Sequence, residues 1–162
     1  RKVQPITGTW KVTFDLRMGG PAEPVAFEQL TDLSTNDDPR IRYYAGTVIY
    51  KNTCKLEAKD EHCSYRLAFS QLAGAAEVVV NGRKAGTVWC SPYHIDITPY
   101  IKKGKNEIEL RVATCLWNRL AGDATVAENE RIYWQNYPLA KPADRLIQAG
   151  IIGSVNIVEQ QK

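Results

Sequence analysis

The segment Val78-Val79-Val80-Asn81-Gly82 constrains this chain more than any other. Three consecutive β-branched residues favour an extended backbone, and Asn-Gly tolerates the two positive φ angles of a two-residue hairpin turn. The return strand runs from Lys84 to Trp89. A hairpin here commits its neighbours to antiparallel pairing, and the flanking sequence agrees. Trp10, Val12 and Phe14 alternate with polar residues, as do Tyr65, Leu67 and Phe69, and later Ile108, Leu110 and Val112. That period of two marks strands with one buried face, whereas helical periodicity is scarce.

Other stretches fill in the order of elements. Residues 19–39, with Gly19, Gly20, Pro21, Pro24 and Pro39, read as a surface excursion with one helical turn. From Arg40 to Leu56 the chain is β-rich, with a bend or bulge expected at Gly46. Thr98 is expected to cap a one-turn helix that Pro99 begins and Gly104 ends. Residues 115–150 break the alternation and read as a long irregular segment, and Ile151 to Val158 closes the chain as a strand. About eight short strands with few helices predict an all-β chain, a jelly-roll β-sandwich rather than a closed barrel. Two long excursions suit loops gathered at the ends of stacked sheets.

At 162 residues the chain is sized for one domain, residues 1–162, without repeats or linkers. Its opening on Arg1 rather than Met gives the expectation of a domain excised from something longer. A net charge of +3 with no long basic run argues against nucleic acid, and no apolar run is long enough to span a bilayer. The four cysteines form no CxxC pair and only two histidines accompany them, so a tetrahedral zinc site has no support. Four free buried thiols are expected. A Cys54–Cys63 bridge across a hairpin stays open, since sequence does not determine connectivity.

Several motifs add a resemblance. Ala76 to Gly82, then Gly86, Ser91-Pro92-Tyr93, Asp96-Ile97-Thr98, Gly104 and Asn106 resemble the sugar-binding domain of family 2 glycoside hydrolases, a galactose-binding-like fold. Gly8-Thr9-Trp10 and Tyr43 to Thr47 extend the match. Asn118 to Asp123 and Gly150 to Val155 resemble the C-terminal jelly-roll region of family 106 α-L-rhamnosidases. The resemblance implies an accessory domain without catalytic residues, partnered by a catalytic domain of the same chain. Export to the periplasm or beyond the cell is likewise implied by it.

Functional candidates follow from residue chemistry. Glycoside hydrolysis needs two opposed carboxyl groups, and neither Asp123, Glu128 and Glu130 nor Asp32, Asp37 and Asp38 have a spacing that singles out such a pair. Sugar binding needs aromatic rings for the C–H faces of a pyranose and polar groups for its hydroxyls. Trp89, Tyr93, Trp117, Asn118, Arg119, Asp123 and Trp134 offer that set. Asp32, Asn36, Asp37 and Asp38 cluster hard oxygens that suit a structural calcium ion, without the spacing of an EF-hand loop. No other cofactor is expected. The competing readings are an autonomous carbohydrate-binding module and a purely structural interaction sandwich.

Overall fold

A computed structural model describes residues 1–137 and 139–162. Its strands are β1 Lys2–Pro5, β2 Trp10–Thr13, β3 Val25–Phe27, β4 Thr47–Leu56, β5 Cys63–Ala73, β6 Ala75–Val80, β7 Arg83–Val88, β8 His94–Asp96, β9 Gly104–Ala113 and β10 Gly150–Gln161. They form two stacked sheets, one ordered β1-β10-β5-β8 and the other β3-β2-β4-β9-β6-β7. Every pairing is antiparallel. The fold is the jelly-roll sandwich that the alternation predicts.

Between the sheets lie the residues of the buried period. Trp10, Val12, Val48, Tyr50, Leu110 and Val112 come from the six-stranded sheet, and Tyr65, Leu67, Ile151 and Ile157 from the four-stranded one. Glu107, Glu109 and Arg111 point outward from β9, and their charges meet those of neighbouring strands. Lys51 pairs with Glu109, and Glu77 takes both Arg111 and Lys84. Alternating signs across four strands leave this outer face without a like-charge clash. The turn between β6 and β7 has Asn81 at φ 51° and Gly82 at φ 76°, as expected of Asn-Gly.

Four expectations need correction. Pro39–Arg42 is a helical turn, α1, so β4 begins only at Thr47. Asp38 starts that turn by accepting from Arg40 N at 2.9 Å, with Pro39 in the first position, where its missing N–H costs nothing. Thr98 caps no helix. Its hydroxyl instead accepts from Tyr65 N at 2.8 Å, while Asp96 Oδ1 accepts Thr98 N at 2.8 Å and the chain passes through a turn. The segment 115–150 contains a second helix, α2, Trp117–Asp123. Finally, only Cys54 and Cys63 are buried; Cys90 and Cys115 are exposed, and all four are free. Cys54 and Cys63 lie in different sheets, and burial pushes the Cys54 thiol up to about 11.

Candidate functional site

The register places the long connections at one end of the sandwich. Thr47 and Ala75 both face Ala113, Ala76 faces Val88, and Gly150 faces Ala73. The start of β4, β6 and β10 and the end of β5, β7 and β9 therefore coincide. Residues 89–93 and 114–149 leave the sheets at this end, and Tyr43 to Gly46 and the loop after β2 join them there. The seven sugar-binding candidates are gathered at this end, though in different roles.

A helix of seven residues is marginal in water and needs tertiary packing. α2 has no side-chain cap, yet every residue from Asn118 to Asp123 is buried. Leu120 and Ala121 form a satellite core with Ala140, against which Leu116, Trp117 and Leu146 pack. Polar residues of α2 hold the rest of the segment. Asn118 donates to Ile147 O at 2.7 Å and accepts from Ile147 N at 2.8 Å, a reciprocal pair that mimics a strand bridge. Trp117 Nε1 donates to Arg145 O at 2.8 Å. Asp123 accepts from Ile132 N at 3.2 Å and Tyr133 N at 2.8 Å, and its Oδ1 lies 3.1 Å from Arg119 Nε. The Arg119 guanidinium fits because Gly122 has no side chain. A Cβ there would lie 2.7 Å from its Nη2 and 2.6 Å from Tyr43 Cβ.

Asn118 and Asp123 thus spend their polar atoms on the loop itself, and Arg119 is held there by its ion pair with Asp123. Trp117 is half-buried, and Tyr93 packs partly against the main core. Trp89 and Trp134 differ, with 70% and 78% of their surface exposed. Beyond Trp134, Tyr137 is 75% exposed, another aromatic of the kind that stacks on a sugar, and Leu139, which the sequence reading did not single out, is 66% exposed. Nothing in their spacing separates an exposed ring from an anchoring one.

Asp32, Asn36, Asp37 and Asp38 do not converge as a cation cage. Asp32 Oδ1 accepts from Ser34 N at 3.0 Å, Ser34 Oγ at 2.8 Å and Ala149 N at 3.0 Å. Asn36 Oδ1 accepts from Asp38 N, and Arg40 lies 2.7 Å from Asp38. Among the described residues no three His, Cys, Asp or Glu side chains are grouped to hold a metal. The Arg40 guanidinium also holds the Asp38 carboxyl below its ordinary range, the opposite of what a general acid needs.

A groove of about 510 Å³ lies elsewhere, on the outer face of the six-stranded sheet. It is lined by Thr9, Lys51, Asn52, Glu107 and Glu109 among others, and no aromatic ring lines it. Recess and exposed rings are therefore separate features.

Residues 8–160 match the family described as glycosyl hydrolases family 2, sugar binding domain. A Formosa agariphila protein that carries a provisional β-glucuronidase name is 36% identical over 125 residues, covering 74% of this chain and 11% of that protein. The rhamnosidase of Novosphingobium sp. PP1Y has a TM-score of 0.90 at 31% identity, over 99% of this chain and 15% of its own. A β-glucuronidase from Ruminococcus gnavus has a TM-score of 0.70 at 21% identity, over 99% of this chain and 29% of its own, and shares the fold. This chain spans only a small part of each of these proteins.

Proposed function

This chain belongs to the sugar-binding domain family of the family 2 glycosyl hydrolases, and from that premise we propose that it is the accessory domain of a rhamnosidase-like glycosidase, packed against the catalytic domain through its loop-bearing end. The observation that carries the proposal is the exposure of Trp134, Tyr137 and Leu139 at an end whose polar residues are otherwise internally engaged. Large exposed apolar groups close together along the chain mark surfaces that something else covers. The likeness to the rhamnosidase, over nearly all of this chain but 15% of that one, supports a partner within the same polypeptide.

The carboxylates fit a non-catalytic role. Asp123 is fully buried in an ion pair, Asp32 is spent on backbone amides, and Asp38 is held by Arg40. None is free to face a second carboxyl across a glycosidic bond. A second reading, direct saccharide binding, draws on the exposed Trp89 and Trp134 rings. Purified protein of this sequence is expected not to turn over aryl α-L-rhamnosides or aryl β-D-glucuronides. Turnover that disappears when one loop carboxylate is replaced would overturn the assignment. Retention of this protein on an immobilised saccharide, lost in Trp134→Ala, would favour the second reading.

A further inference from the structure

Of the eight asparagines in the chain, only Asn81 is followed by glycine. Glycine has no side chain to shield its own amide nitrogen and leaves the backbone free to turn, so in an opened chain that nitrogen can reach the Asn81 side-chain carbon. The bond from Gly82 N to Asn81 Cγ forms, the bond from Cγ to Nδ2 breaks, and the proton shed by Gly82 leaves with ammonia. Water then opens the succinimide ring at either carbonyl, which leaves Asp or isoAsp at position 81.

The fold opposes this step through the same side chain. Nδ2, the leaving group, donates to Tyr100 O at 2.9 Å and to Asn106 Oδ1 at 2.8 Å, while Oδ1 accepts from Glu107 N at 2.9 Å. The backbone N–H of Asn81 also donates to Glu107 O at 2.9 Å. Attack turns the planar Cγ tetrahedral and tilts both side-chain atoms away from these partners. Asn81 is only half-buried and Gly82 is exposed, so the bonding of the amide, rather than enclosure of the turn, protects it.

The product does not fit the place it leaves. A carboxylate accepts and cannot donate, so the oxygen that replaces Nδ2 would face two acceptors, Tyr100 O and Asn106 Oδ1. Asn106 cannot turn its amide over to help. Its own Nδ2 donates to Lys102 O and Gly104 O, and its Oδ1 accepts from Lys102 N. The isoAsp product also lengthens the backbone by one carbon inside the tight turn that sets Val80 opposite Arg83.

We propose that Asn81 is a deamidation site gated by folding. It is protected in the native sandwich and modified in chains that open at the β6–β7 end, which then lose the bonds that close that end. The inference is independent of what covers the loop-bearing end.

Protein of this sequence, held in mildly alkaline buffer with and without guanidinium chloride, tests the gate by mass spectrometry of the peptide that carries Asn81. Deamidation is expected to be at least about tenfold slower without denaturant, since chemistry on an opened state tracks its population. Equal rates would overturn the gate. Diluting the denaturant-aged protein into native buffer, followed by limited proteolysis, tests the trap. Chains with Asp or isoAsp at position 81 should be depleted among the protease-resistant molecules, and an even distribution would overturn the trap. Asn81→Asp carries the product carboxylate from the start and should unfold at lower denaturant concentration. An unchanged midpoint would reject the trap as well.

Discussion

Asn81 and Asn106 meet side chain to side chain at 2.8 Å, tying the tip of the β6–β7 hairpin to the start of β9. Asn106 is fully buried and uses all four positions of its amide. It accepts from Asn81 and from Lys102 N at 2.9 Å, and donates to Lys102 O at 2.7 Å and Gly104 O at 3.0 Å. Asn81 in turn accepts from Glu107 N at 2.9 Å and donates to Tyr100 O at 2.9 Å. Two asparagines thus join the β6–β7 turn to the β8–β9 connection at the end of the sandwich opposite the candidate site.

Replacing Asn106 by Leu should therefore cost about 2–4 kcal/mol, because several backbone groups lose their partner in a dry site. Asn106→Asp should also destabilise at neutral pH, since a carboxylate accepts but cannot donate to the carbonyls of Lys102 and Gly104. Urea unfolding midpoints check both. A midpoint for Asn106→Leu equal to that of the unmodified protein would show that the network contributes nothing net.

The thiols should divide by location. Cys90 and Cys115 are exposed, whereas Cys54 and Cys63 are buried. Burial raises the Cys63 thiol, and the Asp60 and Glu159 carboxylates raise it further, while Cys54 is pushed up to about 11. Thiolate is the reactive form, so both buried groups are doubly protected. Iodoacetamide at neutral pH should modify two cysteines in native protein and four in denaturant. Rapid labelling of Cys54 in native protein would contradict its placement between the sheets.

The sandwich was legible from the sequence because its long strands bury one face, and period-two alternation reports that directly. Trp10, Leu67 and Leu110 are buried as their patterns require. The short strands were less visible. β1 and β3 are edge strands of four and three residues, too short for a period to show. α1 was hidden because Ile41, Tyr43 and Tyr44 favour strands by residue type, while the Asp38-Pro39 start signal decides the backbone. α2 was missed for another reason. Its burial comes from Ala140 and Leu146, far along the chain, and no local pattern encodes that contact. Among the site candidates, sequence identified the residue types and the segment. Whether a Trp anchors, as Trp117 does, or projects, as Trp134 does, depends on which carbonyl it finds.

Asp96 should make stability depend on acid. Hydrogen bonds from Thr98 hold its carboxyl below the ordinary range, with smaller help from the Arg66 and Lys162 charges. A carboxyl with a lowered folded-state pKa stabilises the fold fully above its unfolded value, roughly pH 4, and loses that contribution as pH falls through the folded value. Asp96→Asn should lower the melting temperature at pH 7, and the gap should narrow as pH falls below roughly 4 and through the lowered folded value. A gap that stays constant across that range would remove the charge from the explanation.

Asp123 separates packing from catalysis most sharply. It has no exposed surface, and it receives Ile132 N, Tyr133 N and the Arg119 guanidinium. A side chain so enclosed positions the loop and cannot reach substrate. Removing one partner of a buried ion pair strands the other charge, at a cost of about 3–5 kcal/mol. Asp123→Ala should therefore expose the Ile132 and Tyr133 amides to hydrogen exchange and lower the melting temperature. Adding Arg119→Met should restore part of that loss, because the stranded charge disappears with it. In the parent glycosidase proposed above, Asp123→Ala should leave kcat near its starting value well below the melting temperature. A large fall in kcat with unchanged melting temperature and amide protection would instead place Asp123 in the catalytic pocket.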